Sequence, residues 1–144
     1  MKPEDLYLQR FGKAPFKIEP LAGAGSNRRY FRLFDADGRS VIGVSGTDRK
    51  ENEAFIYLCK HFHSKGLPVP GLLEVAPDGM SYLQKDLGDR QLFDLRERMD
   101  LLSESIRNLV RLQYEGAVGI DPSRLFPVKR FDERCVLWDL NYFK

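Results

Sequence analysis

The sequence is poor in the features that mark the more specialised protein classes. It has two cysteines in 144 residues, Cys59 and Cys135, too few for a disulfide framework, so the expected compartment is reducing and cytoplasmic. No apolar run approaches the ~20 residues needed to span a bilayer, and Met1-Lys-Pro-Glu-Asp-Leu6 carries no apolar segment of the signal-peptide type. Charge of one sign is not in excess: 23 Lys and Arg stand against 21 Asp and Glu, for a net charge of +2. The basic residues are scattered rather than gathered on one stretch, so nothing points to nucleic acid. Histidine is limited to His61 and His63, neither in a metal-ligand pattern with Cys or Glu. No repeat or low-complexity segment is visible. What remains is a chain of single-domain length with 42% apolar residues, enough to form a core.

Periodicity and turn chemistry set an α+β order. Pro3 to Gly12 reads as a short amphipathic helix, with Pro3 at its start and Gly12 as its stop. Strands are expected over Phe16–Leu21, Arg29–Asp35 and Ser40–Ser45, the second and third joined by Asp37-Gly38, a strong hairpin signal. Asp48 is placed to cap a long helix from Lys50 to Lys65, whose Phe55, Leu58, Cys59 and Phe62 form one apolar stripe. Leu67-Pro-Val-Pro70 is stiff and extended. Strands four and five follow over Leu72–Ala76 and Met80–Lys85, around Asp78-Gly79. Helices are expected over Gln91–Arg98 and Leu101–Tyr114, and a last one from Glu133 onward, its apolar surface made of Val136, Leu137, Leu140 and Phe143. That last helix shows no stop signal, so the natural protein is expected to continue; the alternative is a short terminal helix docked on the domain.

The segment Leu21-Ala-Gly-Ala-Gly-Ser-Asn-Arg-Arg-Tyr-Phe-Arg-Leu33 stands out. Gly23 and Gly25 let main-chain N–H groups approach a ligand, Ser26 and Asn27 add a hydroxyl and an amide, and a strand follows at once. From the residues alone this is either a loop over phosphates or an ordinary β-turn.

Gly23-Ala-Gly25-Ser-Asn-Arg-Arg-Tyr30 resembles the kinase glycine-loop pattern, with Arg28 where the third glycine stands and Tyr30 at the valine. Leu67-Pro-Val-Pro70 and Leu83-Gln-Lys-Asp-Leu-Gly-Asp89, continued by Leu92 and Asp94, resemble segments of the aminoglycoside phosphotransferase and choline kinase superfamily. The Ser-x-Arg-Arg-Tyr-Phe-Arg loop and the Asp-Leu-Gly-Asp segment are most similar to sugar kinases of the N-acetylmuramate/N-acetylglucosamine kinase type. The resemblance covers roughly residues 16–115. It implies the small lobe of a protein-kinase-like fold: a five-stranded antiparallel sheet with one long helix over residues 1–87. Residues 88–144 would then be the hinge and the first helices of an incomplete, truncated large lobe.

The resemblance also implies ligands and roles. The cofactors of the full-length protein would be ATP and Mg²⁺, and its partner a small-molecule substrate, with neither nucleic acid nor membrane involved. Gly23, Gly25, Ser26, Asn27 and Arg28 would lie over the phosphates. Glu53, at the start of the long helix, would match the glutamate that pairs with the strand-three lysine; Glu51 is the competing choice, and Glu53 is preferred as closer to the inward face. Gln84, Lys85 and Leu87 would bind adenine through main-chain groups, with Ile42 and Leu83 as walls. Two departures stand against this pattern. Val44 occupies the lysine position, so the phosphate charge would have to come from Arg28, Arg29, Arg32 or Lys50. No His-x-Asp-x-x-x-x-Asn loop or later metal-binding Asp is present; Asp139-Leu-Asn141 lies in a helical pattern at the wrong spacing. Catalytic and metal residues are therefore assigned to none of these 144 positions, and the isolated chain is expected to be inactive. Two alternatives remain: a non-catalytic kinase-fold module, and an unrelated α+β interaction domain. Trp138, Leu137 and Leu140 are expected to support self-association through the last helix.

Overall fold

A computed structural model describes residues 1–22, 27–130 and 132–142. Gly23, Gly25 and Ser26, singled out above, lie outside the described residues. The elements are α1 (Pro3–Phe11), β1 (Lys17–Leu21), β2 (Arg29–Phe34), β3 (Ser40–Ser45), α2 (Arg49–Ser64), β4 (Leu72–Val75), β5 (Ser81–Lys85), α3 (Met99–Tyr114) and α4 (Glu133–Tyr142). The five strands form one antiparallel sheet in the order β1-β2-β3-β5-β4. The first three strands are a meander. The chain then crosses through α2 to the far edge, and β5 folds back between β4 and β3. Pro20 sits on β1, an edge strand, where a missing N–H is tolerated.

Side chains alternate across the pleat, and each face of the sheet has its own helix. One face carries Phe31, Leu33, Val41 and Leu83, packed against Leu6 and Tyr7 of α1. Here Gly43 is required by close approach: a Cβ on it would stand 2.7 Å from Pro3 Cβ and 3.0 Å from Leu33 Cδ1. The opposite face carries Tyr30, Ile42, Val44 and Tyr82 and receives Phe55 and Ile56 of α2, with the Phe55 and Tyr82 rings stacked at 5.1 Å. Asp48 caps α2 by accepting from the Glu51 N–H, and Gly12 ends α1 at φ 72°.

Past Lys85 the structure changes character. The expected helix over Gln91–Arg98 is instead a single 3-10 turn at Leu92–Leu95. Its N–H groups reach back only three residues, Asp94 to Gln91 and, at the cap, Arg96 to Phe93. Phe93 is exposed, so no packing favours a longer helix. Neither α3 nor α4 has a buried residue. The segment between them touches the outer side of α2: the Asp121 N–H donates to the Tyr57 hydroxyl at 2.7 Å, and His61 Nε2 meets the Gly116 carbonyl at 2.8 Å. Among the described residues no helix is long and apolar enough to cross a membrane.

Candidate functional site

The α2-covered face of the sheet continues beyond the reach of α2 into a groove of about 250 Å³. Leu21, Tyr30, Ile42, Pro70 and Leu87 give it apolar walls, and Arg32, Gln84, Lys85, Asp86 and Asp89 complete it. Register explains the assembly. Arg32 lies opposite Ile42, and Ile42 opposite Gln84, so three adjacent strands present one row of side chains to the groove. The chain leaves the β-ladder at Lys85, which frees the main chain of residues 86 and 87 from strand pairing. Of the residues assigned from sequence, Arg32, Ile42, Gln84, Lys85 and Leu87 are therefore brought together; Leu83 is buried on the opposite face against α1, and Asn27 is exposed and does not line this groove.

The Arg32 guanidinium is engaged by two carboxylates. Its Nε donates to Asp86 Oδ2 at 2.6 Å, and its two terminal nitrogens bond both Asp89 oxygens at 2.9 and 2.7 Å. Asp86 also accepts from the Ser40 hydroxyl at 2.6 Å and the Gly88 N–H at 2.8 Å. Burial disfavours the Asp86 charge, but the Ser40 hydroxyl, the Gly88 N–H and Arg32 outweigh it and hold its pKa below the usual carboxylate value. The hydrogen bond from Arg32 does the same for Asp89, and the two carboxylates raise the pKa of Arg32. The Asp86-Leu-Gly-Asp89 segment is thus shaped by a β2 side chain reaching over β3.

Arg28 holds a second cationic position. It precedes β2 and points to the same face as Tyr30 and Arg32. One guanidinium nitrogen pairs with Glu51 Oε1 at 3.1 Å, Nε donates to Asn52 Oδ1 at 3.2 Å, and the planar group lies 4.8 Å from the centre of the Phe55 ring. Glu51, not Glu53, is therefore the α2 acid that meets a basic residue of the sheet side. Glu53 is 55% exposed and bonds Arg49 on its own helix at 2.8 Å. The reason is helical phase: Asn52, Phe55 and Cys59 face inward at i, i+3 and i+7, and Glu53 is rotated ~100° away from Asn52. Val44, in the lysine position, is fully buried between Tyr30 and Tyr82.

Asn52 is the residue that sequence reasoning missed. It is buried, and its amide nitrogen donates to the carbonyls of Gly79 and Met80 at 3.2 and 3.1 Å while its oxygen accepts from Arg28. It ties α2 to the β4–β5 turn and orients Arg28. A Cβ on Gly46 would fall 2.1 Å from its amide. The available signal was a polar residue on the apolar stripe of a helix. Lys50 and Glu53 face away, into a separate cleft with Ser123, Arg124, Leu125 and Phe126. Among the described residues no group of three or more His, Cys, Asp or Glu is placed to hold a metal ion.

The fold and site define an α+β protein with a five-stranded antiparallel sheet and four helices, carrying a groove at the open end of one sheet face. No protein-family model matches the chain, and no curated protein matches it.

Proposed function

We propose that the chain is the ATP-binding N-terminal part of a small-molecule phosphotransferase. The full-length enzyme would transfer the γ-phosphate of Mg-ATP to a hydroxyl of a sugar or amino sugar. The observation that carries this reading is the pairing of two features on one sheet face. The apolar groove lies beside a segment that has left the β-ladder, and the Arg28–Glu51 pair lies further along the same face. A flat base fits between Leu21, Ile42, Pro70 and Leu87, with main-chain groups of residues 86 and 87 at its edge. Arg28, fixed by Glu51 and Asn52, supplies the cation that Val44 does not, and guanidinium groups suit phosphate oxygens.

The ligands of Mg²⁺ in the full-length enzyme are assigned to none of the residues described. A positioned base is likewise absent from the sequence, and without one most of the rate enhancement is lost. The isolated chain binds and orients ATP and does not turn it over. The exposed apolar faces of α3 and α4 support the view that residues 88–144 begin a helical lobe. Both cysteines are free thiols, in keeping with a cytoplasmic setting.

Val44 at the lysine position favours a second reading, a non-catalytic kinase-fold module that binds nucleotide without chemistry. Titration calorimetry with ATP tests the common part of both. Measurable binding is expected in the wild type and at least tenfold weaker binding in Arg28→Met. Equal affinity in the two proteins would remove Arg28 from the phosphate site.

A further inference from the structure

The floor of the groove holds one side chain whose chemistry the fold does not use. Gln84 stands in a row of apolar neighbours, opposite Ile42 on β3 and Leu72 on β4. Its Oε1 is shut off from solvent and has no donor among the described residues, although the residue itself lines the groove. An amide placed there for structure would be expected to have a partner, because an enclosed acceptor without one costs free energy. The only other enclosed polar side-chain atom without a partner among the described residues is the Tyr82 hydroxyl. Tyr82 is stacked under Phe55 and does not line the groove, so Gln84 alone brings unmet hydrogen-bonding capacity to a ligand.

We propose that Gln84 is a specificity-determining residue that reads the amino-bearing edge of the adenine base. This rests on the adenine-nucleotide reading above. A carboxamide offers an acceptor and a donor side by side, which match the exocyclic amino group and the neighbouring ring nitrogen of adenine. The last torsion of a glutamine side chain is soft, so the carboxamide can turn to present Oε1 to a ligand in the groove. Main-chain groups of residues 86 and 87 accept many flat heterocycles; the Gln84 side chain selects among them.

The test compares ATP with purine riboside triphosphate, which lacks the amino group and keeps the ring nitrogen, by equilibrium titration of the whole chain. The wild type is expected to prefer ATP by about tenfold, the effect of one hydrogen bond to an otherwise unpaired buried acceptor. Gln84→Met is expected to bind both nucleotides with equal affinity, weaker than that of the wild type for ATP. A wild-type ratio near one overturns the proposal. So does a tenfold ratio that survives in Gln84→Met; in either case ATP binding itself would still stand. Absence of binding to either nucleotide by the wild type would overturn the nucleotide reading together with it.

Discussion

Arg32 carries one positive charge between two carboxylates, and its environment decides how that charge acts. Its side chain and that of Asp86 are 12% and 8% exposed, whereas Asp89 is 79% exposed. The pair with Asp86 is the one shielded from water, so it matters more to stability than the outer arm to Asp89. Replacing Arg32 by Met leaves Asp86 enclosed with its charge and fewer donors, and is expected to lower stability by about 2 kcal/mol at neutral pH. Both aspartates titrate lower in the folded chain than in the unfolded one. The unfolded chain therefore binds more protons between the two values, and stability rises with pH there. Their contribution is complete above the unfolded carboxylate pKa of about 4 and is lost as pH falls through the folded values. Urea denaturation from neutral pH down into that acid range should show a steep loss in the wild type and a shallower one in Arg32→Met. Parallel curves would mean that the clamp does not set the acid limb. None of this could be read from the sequence: Arg32 and Asp86 are 54 positions apart, and nothing local pairs them.

At the level of elements, local chemistry was legible and relative rotation was not. The strands alternate with period two, and the Asp37-Gly38 and Asp78-Gly79 turns mark hairpins, so the sheet was readable almost residue by residue. Glu53 was expected nearer the inward face, yet Glu51 meets Arg28, because a helix's stripe shows which residues share a side, while its rotation against the sheet is set by packing. The buried Asn52 amide fixes that rotation. The same packing logic gives Gly43 its role, since α1 crosses directly over it. Gly43→Ala is expected to cost about 1–3 kcal/mol, because the ring atom of Pro3 cannot swing aside as a flexible side chain would. An unchanged urea midpoint would show that α1 lies further from β3 than the structure has it.

At the scale of the whole molecule, the five strands with α1 and α2 form a sheet covered on both faces, whereas α3 and α4 contribute no buried residue. Met99, Ile106, Leu109, Tyr114, Leu137, Trp138 and Leu140 are all exposed, Trp138 by 78%. Apolar surface of this extent favours association. Sedimentation at rising concentration is expected to show self-association, reduced by Trp138→Ser with Leu140→Ser; a monomer at every concentration would contradict it. This half of the chain was also the harder to read. Amphipathic spacing located α3 and α4, but a stripe does not reveal what covers it.

The central proposal is that the groove beside residues 84–87 and the Arg28 position together hold one nucleotide. Amide and side-chain NMR shifts of the labelled chain during titration with ATP test it most directly. The account predicts saturable shifts at Leu21, Ile42, Gln84, Lys85 and Leu87 and at the Arg28 side chain, all with a single apparent affinity. Shifts confined to α3 and α4, or none at millimolar ATP, would contradict it.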